Sequence, residues 1–166
     1  EDRAAALDEL CRSLDGSDER VSRSITRIRL EKGLPWDTDP RVVADALVRA
    51  GHLPEVVRTI TWDWALWTCE PEDSWPWMAQ DLERARDLLE DSTSATRVLR
   101  ALAHFPTVPR SMVPALAQVA VGRSETNREL AQKLLAGFPE VGDLALEAVM
   151  SPVAHVRRAG AAWLAG

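Results

Sequence analysis

Five tryptophans crowd residues 62–77, Asp63 stands between Trp62 and Trp64, and Glu70, Glu72 and Asp73 follow close behind. Aromatic faces beside carboxylates are the chemistry of a cation site, because ring quadrupoles and acids both attract positive charge. The same residue types also build core and solvated turn, so their directions matter. At roughly 100° per residue, Val57, Ile60, Trp64 and Trp67 fall on one helical stripe, and Trp75, Met78, Leu82, Ala85 and Leu89 on the next. Trp64, Trp67 and Trp75 are expected as core anchors. Trp62 points away from Trp64, on a face with Thr59 and Leu66, and Trp77 shares its face with Asp81, Arg84 and Leu88. Trp62, Leu66 and Trp77 are therefore candidate binding residues. Two readings stay open: a helix buried on two sides, or an exposed apolar patch that docks a partner.

Other reactive residue types are scattered. His52, His104 and His155 are isolated, with no HExxH and no Cys/His spacing for a metal. No glycine-rich phosphate loop and no GxSxG nucleophile elbow occur. Asp37 and Asp39 resemble a carboxylate pair, but Asp39 precedes Pro40, and an Asp-Pro step is a helix cap followed by a first-turn proline. Glu129 and Lys133 stand at the favourable i,i+4 spacing of a solvated helix face. The expectation is a protein without catalytic residues, metal or cofactor. Cys11 and Cys69 are far apart and read as reduced thiols in a cytosolic protein.

The net charge of −6 is unevenly spread: residues 1–83 hold 18 acids and 10 bases, and residues 84–166 hold 8 acids and 10 bases. Nucleic-acid binding needs several phosphate-neutralising charges together, and no such cluster is present. No apolar run is long enough to span a membrane, and the first residues do not read as the apolar h-region of a signal peptide. The chain starts at Glu1 and stops at Leu164-Ala165-Gly166, which predicts a segment of a longer protein.

Apolar residues recur at three and four, which predicts helices throughout. They are expected over 4–14, from Val21 to Gly33, from Pro40 to Ala50, from Pro54 to about Cys69, over 76–90, from Ser92 or Ser94 to Pro106, and near 111–121, 124–136, 140–149 and 152–165. Glu70 to Ser74 reads as an acidic turn. Connections this short force antiparallel neighbours.

The last third repeats itself. Moving Ser124–Gly137 forward by 29 positions sets Arg128 on Arg157, Leu134 on Trp163, Leu135 on Leu164, and Ala136-Gly137 on Ala165-Gly166. A fainter copy lies 32 positions earlier, where Val98, Leu102 and Ala103 match Leu130, Leu134 and Leu135. Repeats of this length are stacked helix pairs. Val156-Arg157-Arg158-Ala159-Gly160-Ala161-Ala162-Trp163-Leu164 resembles the second helix of a HEAT-like repeat, and Arg128, Ala131, Leu134 and Leu135 echo it one repeat earlier. The wording also resembles repeat segments of large uncharacterised bacterial proteins, some labelled molybdate metabolism regulator. Such repeats often carry an Asp in the turn that engages the Arg; Ser151-Pro152 occupies that place here.

The resemblance implies an all-α, right-handed α-solenoid of antiparallel helix pairs. It implies one helical-repeat domain over 1–166, clearest in 94–166. It also implies a protein–protein interaction or scaffolding module of a larger cytoplasmic bacterial protein. Its partner would be another protein or the remainder of the parent chain, with no membrane and no nucleic acid. On a helical wheel Arg97, Arg100, Glu129, Lys133 and Arg158 are the outward residues of the second helices, and join Trp62, Leu66 and Trp77 as binding candidates. Arg157 is expected to support the stack. Two alternatives stand beside this reading. One is a spacer packed on neighbouring domains. The other is suggested by HEAT-like DNA glycosylases, which remove alkylated bases with tryptophans and an aspartate on a basic concave face; here Asp63 and its tryptophans lie in the acidic half.

Overall fold

A computed structural model of the chain describes Leu7, Asp8, Cys11, Arg12 and residues 38–165. Every regular element among them is helical, and there is no strand. Leu7, Asp8, Cys11 and Arg12 are helical, and among the described residues the helices with defined bounds are α1 Pro40–Arg49, α2 Pro54–Thr68, α3 Pro71–Met78, α4 Leu82–Leu88, α5 Ser92–Leu102, α6 Val113–Ala120, α7 Glu125–Leu135, α8 Val141–Val149 and α9 Ala154–Ala165, with a 3-10 turn at Arg110–Met112. Most of the helix expected over 4–14, the helix expected from Val21 to Gly33, and Asp37 lie outside the described residues. Among the described residues no helix is long and apolar enough to cross a membrane. The chain divides into two compact units, Glu1–Asp81 and Leu82–Gly166.

In the first unit the helix starts follow the expected chemistry. Asp39 caps α1 by accepting from the Arg41 N–H at 2.8 Å, with Pro40 at the first helical position. Gly51 ends α1 at φ +84°, a left-handed conformation that a side chain disfavours. The α1 stripe of Val43, Ala46 and Leu47 packs with Val56, Ile60 and Trp64 of α2 and with Leu7 and Cys11. Two polar contacts fix this core. The Trp64 indole N–H donates to the Thr38 carbonyl at 2.8 Å, and His52 Nε2 donates to the Cys11 carbonyl.

Residues 70–90 depart from expectation. The acidic stretch is the start of α3 rather than a turn: Pro71 opens the helix and Glu72 and Asp73 fill its first turn, where carboxylates complement the helix dipole. Pro76 inside α3 has no N–H to continue the ladder, and the helix ends at Met78. The single helix expected over 76–90 is therefore two, α3 and α4.

The second unit contains successive helix pairs. α4 packs on α5, α6 on α7 and α8 on α9, and α5 also packs on α7. Asp91 caps α5 by accepting from the Ser94 N–H at 2.8 Å and the Ser94 hydroxyl at 2.7 Å. Ser124 caps α7. Asn127, only 3 % exposed, joins α7 to α5: its amide donates to the Ser92 carbonyl at 3.0 Å, and its oxygen accepts from the Thr96 hydroxyl at 2.7 Å.

The 29-residue sequence repeat has a physical counterpart. Arg128 Nη1 donates to the carbonyls of Gly122 at 3.1 Å and Arg123 at 3.0 Å. Arg157 Nη1 donates to those of Ser151 at 2.9 Å and Pro152 at 2.8 Å. Each arginine sits in the first turn of its helix and reaches back to the carbonyls left open after the preceding helix, where no helical N–H is available. Backbone carbonyls of Ser151 and Pro152 thus do what a turn aspartate would do. Arg157 clasps the turn within its own helix pair. One position of the repeat also controls close approach. Gly160, the counterpart of Ala131, lies so near α8 that an added Cβ would meet Ala148 Cβ and the Val149 nitrogen, each at 2.8 Å.

Candidate functional site

The tryptophan patch is not a surface. Trp62 is 2 % exposed and Leu66 3 %, and Trp77 is half-buried; of the three expected core anchors Trp64 is buried, whereas Trp67 and Trp75 are only half-buried. Seven consecutive residues, Ile60 through Leu66, are buried. Seven residues span almost two helical turns, so burial runs right round α2. Over this stretch the reading of a helix buried on two sides holds, which corrects the reading of Trp62 and Leu66 as docking residues. Asp63 is 4 % exposed between Trp62 and Trp64, so the aromatic–carboxylate cation site is closed as well. The buried Thr61 hydroxyl is satisfied locally by the Val57 carbonyl at 2.7 Å.

The five charged candidates are all exposed. Two of them come together. Glu129 on α7 and Arg158 on α9 line one groove of about 610 Å³ in the second unit. Arg97, Arg100 and Lys133 lie outside it.

The groove follows from two helix faces. On α7 it takes Glu125, Arg128, Glu129 and Gln132, and on α9 His155, Arg158, Ala159 and Ala162. Both sets have the i, i+3, i+4, i+7 spacing of one helical stripe. Gly122 and Arg123, in the α6–α7 turn, close one end. Ala159 and Ala162 leave the space; their counterparts one repeat earlier are the larger Leu130 and Lys133.

Two side chains of the groove are committed to the fold. Arg128 clasps its turn, and Gln132 donates to the Ala120 carbonyl at 2.9 Å. Glu129 on α7 and Arg158 on α9 both line the groove without a salt bridge to each other. The groove therefore offers an acid from α7 and a base from α9, beside the small side chains of Ala159 and Ala162. Its lining contains no Ser, Cys or Lys nucleophile. Among the described residues no group of three or more His, Cys, Asp or Glu is arranged to hold a metal ion.

Sequence reasoning missed Arg123, Glu125, His155, Ala159 and Ala162. The available signal was the pair of matching stripes, 125-128-129-132 and 155-158-159-162, offset by 30 positions rather than by the 29 of the repeat. Comparison with protein-family models, curated proteins and solved structures finds no match.

Proposed function

We propose that this chain is a non-catalytic protein-recognition segment built from HEAT-like helix pairs in a solenoid, and that the α7–α9 groove is its working surface. The observation that carries the reading is the groove itself: Glu129 from α7 and Arg158 from α9 line it, exposed and uncommitted, while the neighbouring Arg128 and Gln132 are used by the fold. Charged groups held at fixed spacing on rigid helices give orientation and partner choice more than raw affinity. Glu125 and Glu129 stand among Arg123, Arg128 and Arg158, a lining of mixed sign rather than the basic cluster a phosphate backbone needs.

The test is affinity capture from nuclease-treated lysate of the source cells, using the wild-type chain and a Glu129→Arg/Arg158→Glu chain. A protein enriched by the wild type and lost with the reversed charges supports the reading. Equal recovery by both chains counts against it.

A further inference from the structure

The 29-position register that sets α6–α7 on α8–α9 also shows where the later pair is bare. Leu146, Met150, Val153, Arg157, Ala161 and Leu164 are exposed, whereas their counterparts Ala117, Val121, Ser124, Arg128, Gln132 and Leu135 are half-buried or buried. The contrast is sharpest at Leu164, 50 % exposed where Leu135 is 0 %, and Met150 is 78 % exposed. These positions are not scattered. Leu146 and Met150 stand four apart along α8, and Val153, Arg157, Ala161 and Leu164 follow the four, four, three spacing of one stripe along α9. They form one mostly apolar face of the pair, which in α6–α7 is covered by protein. Four large apolar side chains bare on one face exceed the single exposed hydrophobics of an ordinary surface, and mark a place of interaction. The α7–α9 groove takes a different stripe of α9, 155-158-159-162.

Charge decides what fits this face. α8 carries Asp143 and Glu147 and no base, and α9 carries Arg157 and Arg158 and no acid. All four are exposed, and Arg157 keeps its charge while Nη1 clasps the turn. One helix is therefore acidic and its neighbour basic, a pattern that complements itself. A two-fold axis parallel to the helices lays α8 of each copy on α9 of the other and brings acid to base along both edges, whereas an axis across them lays acid on acid. The geometry points to a second copy of this chain as the occupant, with the two α8–α9 faces packed about a two-fold axis parallel to the helices. Leu146, Met150, Val153 and Leu164 fill the centre, and Asp143 and Glu147 of each copy run along Arg157 and Arg158 of the other. A face two short helices wide is smaller than a standard interface, so the dimer forms at concentrations on the order of 10–100 µM.

Sedimentation equilibrium of the whole chain, from about 5 µM to about 1 mM, tests it. The expected result is a monomer–dimer equilibrium that Met150→Glu weakens about tenfold or more. Asp143→Arg/Glu147→Arg turns acid on base into base on base and weakens it by about as much, and adding Arg158→Glu to that chain recovers part of the loss. All these positions are exposed, and thermal melting checks that each variant folds. A monomer at every concentration overturns the proposal. A dimer indifferent to Met150→Glu puts the contact elsewhere and overturns it as well. A dimer weakened by Met150→Glu but indifferent to the charge reversals overturns the two-fold placement of α8 on α9. Assemblies that keep growing with concentration overturn the closed pair in favour of open stacking.

Discussion

Arg128 and Arg157 stand 29 positions apart and make the same two hydrogen bonds, each guanidinium bridging the carbonyls six and five residues before it. A turn held this way fixes the angle at which the second helix of a pair leaves the first. Arg128→Met should cost about 1–2 kcal/mol in urea unfolding, and Arg157→Met, on a more exposed turn, about half as much. Lysine keeps the charge but lacks the planar fork, so Arg128→Lys should recover only part of the loss. Full stability in Arg128→Met would show that the clasp is incidental.

Gly160 is where α9 approaches α8 most closely. Alanine would be favoured by helix propensity alone by about 1 kcal/mol, yet its Cβ would fall 2.8 Å from Ala148 Cβ and from the Val149 backbone nitrogen. The overlap is expected to win, and Gly160→Ala to lower stability by about 1–3 kcal/mol. Ala148→Gly in the same chain should restore only part, because the Val149 contact is backbone. A rise in melting temperature for Gly160→Ala alone would contradict the packing.

The Asp91 carboxylate is held below its ordinary pKa, first by the Ser94 backbone N–H and then by the Ser94 hydroxyl. A group with a lower pKa folded than unfolded binds fewer protons in the folded chain. Its contribution is therefore present above the unfolded value and is lost as pH falls through the folded one. Asp91→Asn keeps a capping oxygen without the charge. The advantage of the wild type over Asp91→Asn in thermal melts should be complete at neutral pH and shrink on acidification through the carboxylate range. An advantage that does not vary with pH would refute the charged cap.

The two thiols differ in accessibility. Burial, and then the Asp8 carboxylate, push the Cys11 thiol up to about 11, so it offers almost no thiolate near neutrality. Cys69 is also raised, chiefly by burial, but remains partly exposed. Iodoacetamide followed by mass mapping should modify Cys69 in the folded chain and Cys11 only in denaturant. Equal rates at both would contradict the packing of Cys11 against α1 and α2.

Much of this architecture was legible because its cues are local. Asp39-Pro40, Pro54 and Ser124 mark helix starts in the sequence, and the Arg128–Arg157 register marks the repeat. Residues 70–90 misled because acids in a first helical turn look like a solvated loop, and because Pro76 looks like a start when it lies inside a short helix. The wheel assigned Trp62 and Leu66 to a second face correctly, but periodicity does not say whether another layer covers that face. Arg97, Arg100 and Lys133 are exposed like Glu129 and Arg158; what separates them is that they do not line the groove. The groove depends on Ala159 and Ala162, whose contribution is the volume they leave open, and a small residue announces that only once its neighbours are in place.

The most direct test of the α7–α9 groove as the recognition surface is site-specific photocrosslinking in the source cells. A benzophenone side chain is placed at Ala162 on the groove wall and, as a control, at exposed Ala103 after α5. The account predicts a discrete protein adduct from position 162, absent from position 103 and abolished by Glu129→Arg. Adducts of equal yield from both positions, or none from position 162 while position 103 gives one, would contradict it.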